Sequence, residues 1–192
     1  MIIASDLKEG MAIRVDGQIY KVLGVEARAG AAKVSGVVRT KLRNATSGRG
    51  WEPHFRPDER LEDLTLDRVI MEFLFNDSDA STFMNPETFD QITVSNEIFG
   101  GAEHFLEAGM MLPVEFFEGQ PISVVLPDIV DARIATTAPA AHSQQDSTWK
   151  DAVLENGARI RVPLFIAPGE MIRVDVRTRR YVERAREYKR SA

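Results

Sequence analysis

The sequence predicts an all-β protein built from small antiparallel barrels, and three observations predict it. Short segments alternating apolar and polar residues recur about every 8 to 12 residues, with Gly, Pro, Asn or Asp between them. That spacing belongs to small barrels and sandwiches. Helical periodicity is scarce along the 192 residues. Charge changes by thirds: residues 1–64 carry 11 Lys+Arg against 9 Asp+Glu, residues 65–128 carry 1 against 12, and residues 129–192 carry 12 against 8. Three small β domains fit this length, with boundaries near 64 and 128.

The elements follow in order. GQIYKVLGVEA and VVRTKLRNA alternate and are rich in β-branched residues, and Asp16-Gly17 is a tight-turn dipeptide of the hairpin kind. RVIMEFLF, STFMN, QITV, PVEFFEG and ISVVL supply strands to the acidic middle third, where Arg68 is the single cation. DARIAT, ARIRVPLF, EMIRVDVR and RYVERA supply strands to the last third. NPETFDQI, opened by Asn85 with Pro86 next, reads as a short turn of helix. SNEIFGGAEHFL reads as another short helical piece, and TTAPAAHSQQDST is a polar loop.

Composition excludes several classes. There is no cysteine, which removes disulfides, thiolate metal sites and cysteine nucleophiles, and suits a reducing cytoplasm. The start, MIIASDLKEG, lacks the basic run and apolar core of a signal peptide, and no apolar run approaches the roughly 20 residues of a membrane span. His54, His104 and His142 lie in different thirds without metal-ligand spacing, so no metal or other cofactor is expected. No phosphate loop or nucleophile elbow is present. The expectation is a soluble cytoplasmic monomer that is not an enzyme. The basic ends could meet phosphates that the acidic middle would repel; an acidic solubilising domain explains that middle equally.

Two features carry candidate function. Along VVRTKLRN, Arg39, Lys41 and Arg43 fall on one strand face, about 7 Å apart at a rise of about 3.3 Å per residue. That row suits phosphates of a nucleic acid; the alternative is a solvated strand face, which charged residues commonly make. It carries no aromatic residues for base stacking, which counts against a free single-stranded RNA binder. The segment AGAAKVSG, residues 29–36, surrounds Lys33 with small residues, and Arg28 precedes it. If the flanking strands pair, Lys33 sits at the tip of a projecting hairpin, where Gly30 and Gly36 relax backbone limits. A surface loop with an incidental lysine is the alternative. A catalytic lysine would need burial or a second cation, and none stands nearby in sequence.

The residues together resemble translation elongation factor P. KDAVLENGARIRVPLFIAPG, residues 150–169, meets the family's C-terminal signature at Lys150, Ala152, Gly157, Ile160, Val162, Pro163, Ile166 and Gly169. FMNPETFDQI (83–92) and EGQPISVVLP (118–127) resemble motifs of its middle domain, and residues 5–20 resemble its opening and its Asp-Gly turn. The resemblance covers nearly the whole chain.

It implies an N-terminal SH3-like (KOW-type) barrel over 1–64 and two OB-folds over 65–128 and 129–192, in an L shape. It implies binding to the ribosome between the peptidyl and exit sites, and stimulation of peptide-bond formation at polyproline stalls by positioning peptidyl-tRNA. Partners would be the ribosome, peptidyl-tRNA, ribosomal RNA and a lysine-modifying enzyme. Counting back from Arg39-Thr40-Lys41-Leu42 without a gap puts Lys33 on the family's functional lysine, which many members modify; a gapped register puts Arg28 there. RNA contacts would come from Arg28, Arg39, Lys41 and Arg43, and from Arg159, Arg161 and Arg173 in the last domain. The chain departs from the family pattern in two places. Ala32 and Val34 replace the usual flanking glycines, and AAHSQQDSTWK stands where a Gly-Asp-Thr loop is usual. The alternative role is an elongation factor P-like paralogue, or an OB-fold RNA-binding protein with another translational task. AREYKRSA reads as a basic tail.

Overall fold

A computed structural model describes residues 1–28, 36–139 and 148–185, with backbone only at Ala27 and Arg28. Among the described residues there is no α-helix, and no helix is long and apolar enough to cross a membrane. The strands form three antiparallel sheets.

The first sheet holds β1 (Ile2–Ile3), β2 (Ala12–Val15), β3 (Gln18–Arg28), β4 (Val37–Asn44), β5 (Gly50–Trp51), β6 (His54–Phe55) and β7 (Arg60–Leu64). Their order is β1-β7-β2-β3-β4-β5, with β6 also on β4. The Asp16-Gly17 turn forms as expected. Both residues take positive φ, 49° and 75°, which matches the twist of a two-residue hairpin. Alternation sends Val38, Thr40 and Leu42 of β4 inward, where Val38 and Leu42 join Ala4, Leu7, Ile13, Val22, Phe55 and Leu61 in one core.

The second sheet holds β8 (Asp67–Asn76), β9 (Ala80–Met84), β10 (Gln91–Ser95), β11 (Met111–Phe117) and β12 (Gln120–Val124), ordered β10-β9-β8-β11-β12. Phe83 is its centre, fully buried, with the Phe73 ring at 5.4 Å and the Phe99 ring at 6.5 Å. The expected helix at Asn85 is one turn only. Asn85 Oδ1 accepts from Glu87 N (2.9 Å) and Thr88 N (3.3 Å), and its carbonyl accepts from Phe89 N (2.8 Å). Phe89 then takes φ 60°, which ends the turn. The second helical stretch is two 3₁₀ turns, Asn96–Phe99 and Glu103–Phe105.

The third sheet holds β13 (Ile129–Thr137), β14 (Trp149–Leu154), β15 (Arg159–Pro163), β16 (Met171–Asp175) and β17 (Arg180–Arg184), ordered β15-β14-β13-β16-β17. Ile134, Ala152, Leu154, Ile160, Val162, Ile166, Ile172 and Val174 are buried in it.

The chain divides into two compact units, Met1–Gly101 with Glu107–Val125, and Ala102–Leu106 with Leu126–Ala192. The first unit therefore joins two sheets, and their seam has a definite chemistry. Ala12, Ala45 and Ile122 pack together, with Ile19, Leu64, Leu66 and Phe117 against them. Beside this apolar patch Glu115 of β11 is 1% exposed. It accepts from Lys21 of β3, from Ser123 of β12 and from Arg68 Nε at 2.9 Å. Gly48 completes the fit, since a Cβ there would lie 2.1 Å from the Glu97 carbonyl oxygen.

Candidate nucleic-acid interface

The hairpin that flanks Lys33 is set by the pairing of β3 with β4. The register runs from Tyr20↔Asn44 to Arg28↔Val37, with one extra residue on β3 between Val22 and Gly24. The arms therefore pair out to the last residue on each side of the connection. Lys33 itself, and the side chain of Arg28, lie outside the described residues.

The cation row on β4 divides. Arg39 and Lys41 are exposed, with Glu26 opposite Arg39 and Gly24 opposite Lys41. Arg43 is half-buried, and its Nη1 donates to the Ile98 carbonyl at 3.0 Å. Gly100 leaves room for it, since a Cβ there would meet the guanidinium at 2.7 Å. Arg43 thus reaches from the first sheet to the 3₁₀ turn of the second. Periodicity finds the shared face but not its neighbour, which comes from distant sequence.

In the third sheet Arg159 and Arg161 are exposed on β15, opposite Val153 and Asp151 of β14. Arg173 is engaged differently: Nη1 donates to Glu183 at 2.8 Å, and Asp131 lies 3.9 Å away. The arginines on β15 border a groove of about 1080 Å³ that sequence reasoning misses. Trp149 and Tyr181 meet there edge to face, ring centres 6.3 Å apart. Arg179 stands on the adjoining turn and Arg180 opens β17; the turn is shaped by Asp175, whose Oδ1 accepts from Thr178 N at 2.7 Å. Those backbone and hydroxyl hydrogen bonds from Thr178 hold the Asp175 carboxyl below its usual range. Burial pushes the Tyr181 phenol up, so it stays a neutral hydroxyl. The signal was divided: the aromatics lie on β14 and β17, the arginines on β15, the turn and the start of β17, and only sheet order brings them together.

The C-terminal signature has a structural meaning. Ala152, Ile160, Val162 and Ile166 are core residues, and Gly157 and Gly169 take φ of 83° and 84°, a region that favours glycine. Lys150 Nζ donates to the carbonyls of Ala138 (2.5 Å) and Pro139 (3.1 Å). The His/Asp/Glu side chains form no metal-binding cluster among the described residues.

Fold and surfaces define an all-β protein of successive small sheets, with exposed cations on the first and third. Family profiles match all three: the elongation factor P (EF-P) KOW-like domain at residues 3–61, the elongation factor P (EF-P) OB domain at 66–124, and elongation factor P, C-terminal, at 130–184. Elongation factor P of Clostridium botulinum (strain Hall) is 41% identical over 188 residues, covering 96% of this chain and all of the relative. That of Symbiobacterium thermophilum is 40% identical over 189 residues, with the same coverage. Among solved structures, eukaryotic translation initiation factor 5A from Methanococcus jannaschii aligns with TM-score 0.41 and 17% identity, over 65% of this chain and 92% of that one, a loose likeness. The chain belongs to the elongation factor P family. It is a translation elongation factor with KOW-like and OB domains, and membership implies interaction with the ribosome.

Proposed function

We propose that this factor binds the ribosome between the peptidyl and exit sites and speeds peptide-bond formation at consecutive prolines by positioning peptidyl-tRNA, with Lys33 as the contacting tip. The observation that supports it is the register of β3 and β4, paired out to Arg28 and Val37, with Arg39 and Lys41 exposed along one arm. A connection leaving the end of a paired hairpin is suited to reach into a narrow space. The division at residues 64 and 128 into one SH3-like barrel and two OB-folds belongs to the same reading.

The physics is positional. Proline is a constrained nucleophile and a polyproline chain is stiff, so reacting groups are held in poor alignment. Restoring orientation lowers the barrier without any chemistry by the factor. Lysine suits the tip, as a compact charge on a long stem. One charged contact contributes about 1–3 kcal/mol, a rate effect of roughly 5- to 150-fold. Arg39 and Lys41 meet phosphates of the first barrel's RNA neighbour, and Arg159, Arg161 and Arg173 those of the third's. Arg43 acts through the Ile98 carbonyl, holding two sheets in one unit.

The test is translation in vitro of a reporter with consecutive prolines, with wild type and Lys33→Ala. Relief of the stall by wild type alone carries the reading and makes modification unnecessary. If recombinant wild type is inactive, protein from its native source is assayed and weighed intact. A mass surplus that vanishes in Lys33→Ala, together with activity of the native form, assigns a required modification by a partner enzyme. Inactivity of the native form overturns the polyproline role.

A further inference from the structure

A sheet edge offers unpaired backbone N–H and C=O groups to any extended chain, and proteins blunt their edges with charge, proline, irregular register or short strands. Among the described residues the edges of the three sheets do this, with one exception. β1, β5 and β6 are two residues long. β12 contains Pro121, and its register on β11 is broken between Glu115 and Phe116. β15 carries Arg159, Arg161 and Pro163. β17 carries Arg180, Glu183 and Arg184, and its register on β16 is broken between Arg173 and Val174. β10, Gln-Ile-Thr-Val-Ser, has no charge, no proline and an unbroken register on β9.

The phase of the ladder states which groups are free. Asn85 N donates to the Asp90 carbonyl at 2.9 Å, so in the unbroken register the hydrogen-bonded pairs are Phe83 with Ile92 and Ser81 with Val94. Gln91 and Thr93 fall between them, with N–H and C=O turned away from β9. Both residues are exposed. Phe89 stands just ahead of this edge, 70% exposed. Its φ of 60° is strained for a side chain of this size, and the Asn85 cap, with Phe89 N on the Asn85 carbonyl, holds it there. Asp90 and Glu97, both exposed, bracket the strand, in a third of the chain that carries 12 acidic residues and one cation. Nucleic acid has no amide ladder and is repelled by this charge, and a second copy of the chain brings the same charge. An extended polypeptide rich in Lys or Arg fits both the ladder and the charge. We propose that β10 is a docking edge for an extended basic segment of another protein, which adds as a further strand through the N–H and C=O groups of Gln91 and Thr93. Its cations meet Asp90 and Glu97, and one lies over the Phe89 ring. The inference is independent of Lys33 and of proline stalls.

The experiment uses the full chain without ribosomes. The probe is a fluorescein-labelled peptide of alternating Lys and Val, about eight residues long, titrated by anisotropy at about 50 mM salt. Expected is binding that slows hydrogen exchange at the Gln91 and Thr93 amides. N-methylating alternate amides of the peptide keeps its charge but removes backbone bonds, and weakens binding about 5- to 150-fold. Replacing its Lys by Glu abolishes binding. Thr93→Pro removes a donor that β9 does not use, a change tolerated at such an edge, and Thr93→Lys sets a like charge against the probe; each weakens binding about fivefold or more. Phe89→Ala weakens it about 2- to 5-fold. Phe89→Gly does the same without lowering the melting temperature, since glycine takes this φ freely. Should Thr93→Pro unfold the chain, Thr93→Lys and the N-methylated peptide carry the test. No binding, equal binding of the N-methylated peptide, unprotected Gln91 and Thr93 amides, or indifference to Thr93→Lys overturns the proposal. Dimerisation of the chain that Thr93→Lys abolishes also overturns it, and assigns the edge to a second copy. With no ribosome present, failure of this edge and failure of the stalling role are distinct results.

Discussion

Replacing Glu115 by Gln tests whether charge, rather than shape, holds the seam of the first compact unit. The carboxylate is 1% exposed and receives Lys21, Ser123 and Arg68. Lys21 is itself largely enclosed, its side chain 13% exposed, whereas that of Arg68 is 63% exposed. The amide keeps the volume, removes the charge, and turns an NH₂ toward donors. Breaking a buried pair costs about 3–5 kcal/mol because the surviving charge stays desolvated. The Arg68 contact is solvated and adds at most about 1 kcal/mol. Lys21 can swing partly toward water, so about 3 kcal/mol is expected. Thermal unfolding of the full chain should show one transition lowered by about 10 °C, at about 3–4 °C per kcal/mol for a unit of this size.

A second variant separates pairing from packing. Lys21→Met beside Glu115→Gln should recover about 2 kcal/mol relative to the sum of the single changes, because no buried charge is left alone. The pH dependence has a definite sign. Burial works to raise the Glu115 pKa, but the hydrogen bonds from Lys21 and Ser123, with the Lys21 charge and Arg68, outweigh it and hold it below its ordinary 4.5. A depressed carboxyl contributes stability above the unfolded value and loses it as pH falls through the folded one. Wild type should therefore lose stability more steeply than Glu115→Gln below about pH 4.5. A destabilisation under about 1 kcal/mol, or strictly additive double-variant energies, would refute the buried-pair reasoning.

Three other outcomes follow from the same structure. Gly48→Ala puts a Cβ 2.1 Å from the Glu97 carbonyl oxygen at φ 65°, so urea unfolding should show a loss of about 3 kcal/mol or more in the first unit. Ile172→Ala truncates a side chain with no exposure in the third sheet; calorimetry should show about 3–4 kcal/mol lost from the second unit. Arg39→Ala with Lys41→Ala removes two exposed cations, so ribosome binding should weaken and its log-log salt slope should fall by about 2, with unfolding unchanged.

Much of the fold was legible because its signals are local. Alternation gave the inward set Val38, Thr40 and Leu42, and Asp-Gly gave the first turn. The two-residue strands β1, β5 and β6 escaped this reading, and so did two longer ones. In β14, Lys150 and Asp151 interrupt the alternation and only Ala152 and Leu154 are buried. In β7, Leu61 is the single buried residue among charged neighbours. The helical expectation at Asn85 came from genuine capping chemistry, but the chain turned out again at Phe89 after one turn.

The sequence by itself determined the all-β class, most strand positions, the facing of the β4 cations and the family, since each depends on residues near one another in the chain. The tertiary structure decided what those residues meet. It buried Glu115 between Lys21 and Ser123, turned Arg43 onto the Ile98 carbonyl, and set Trp149 and Tyr181 among the arginines of the third sheet. Strand period states which way a side chain points. Only strand order and the packing of one sheet on another state what stands across from it, because those neighbours come from residues far apart along the chain.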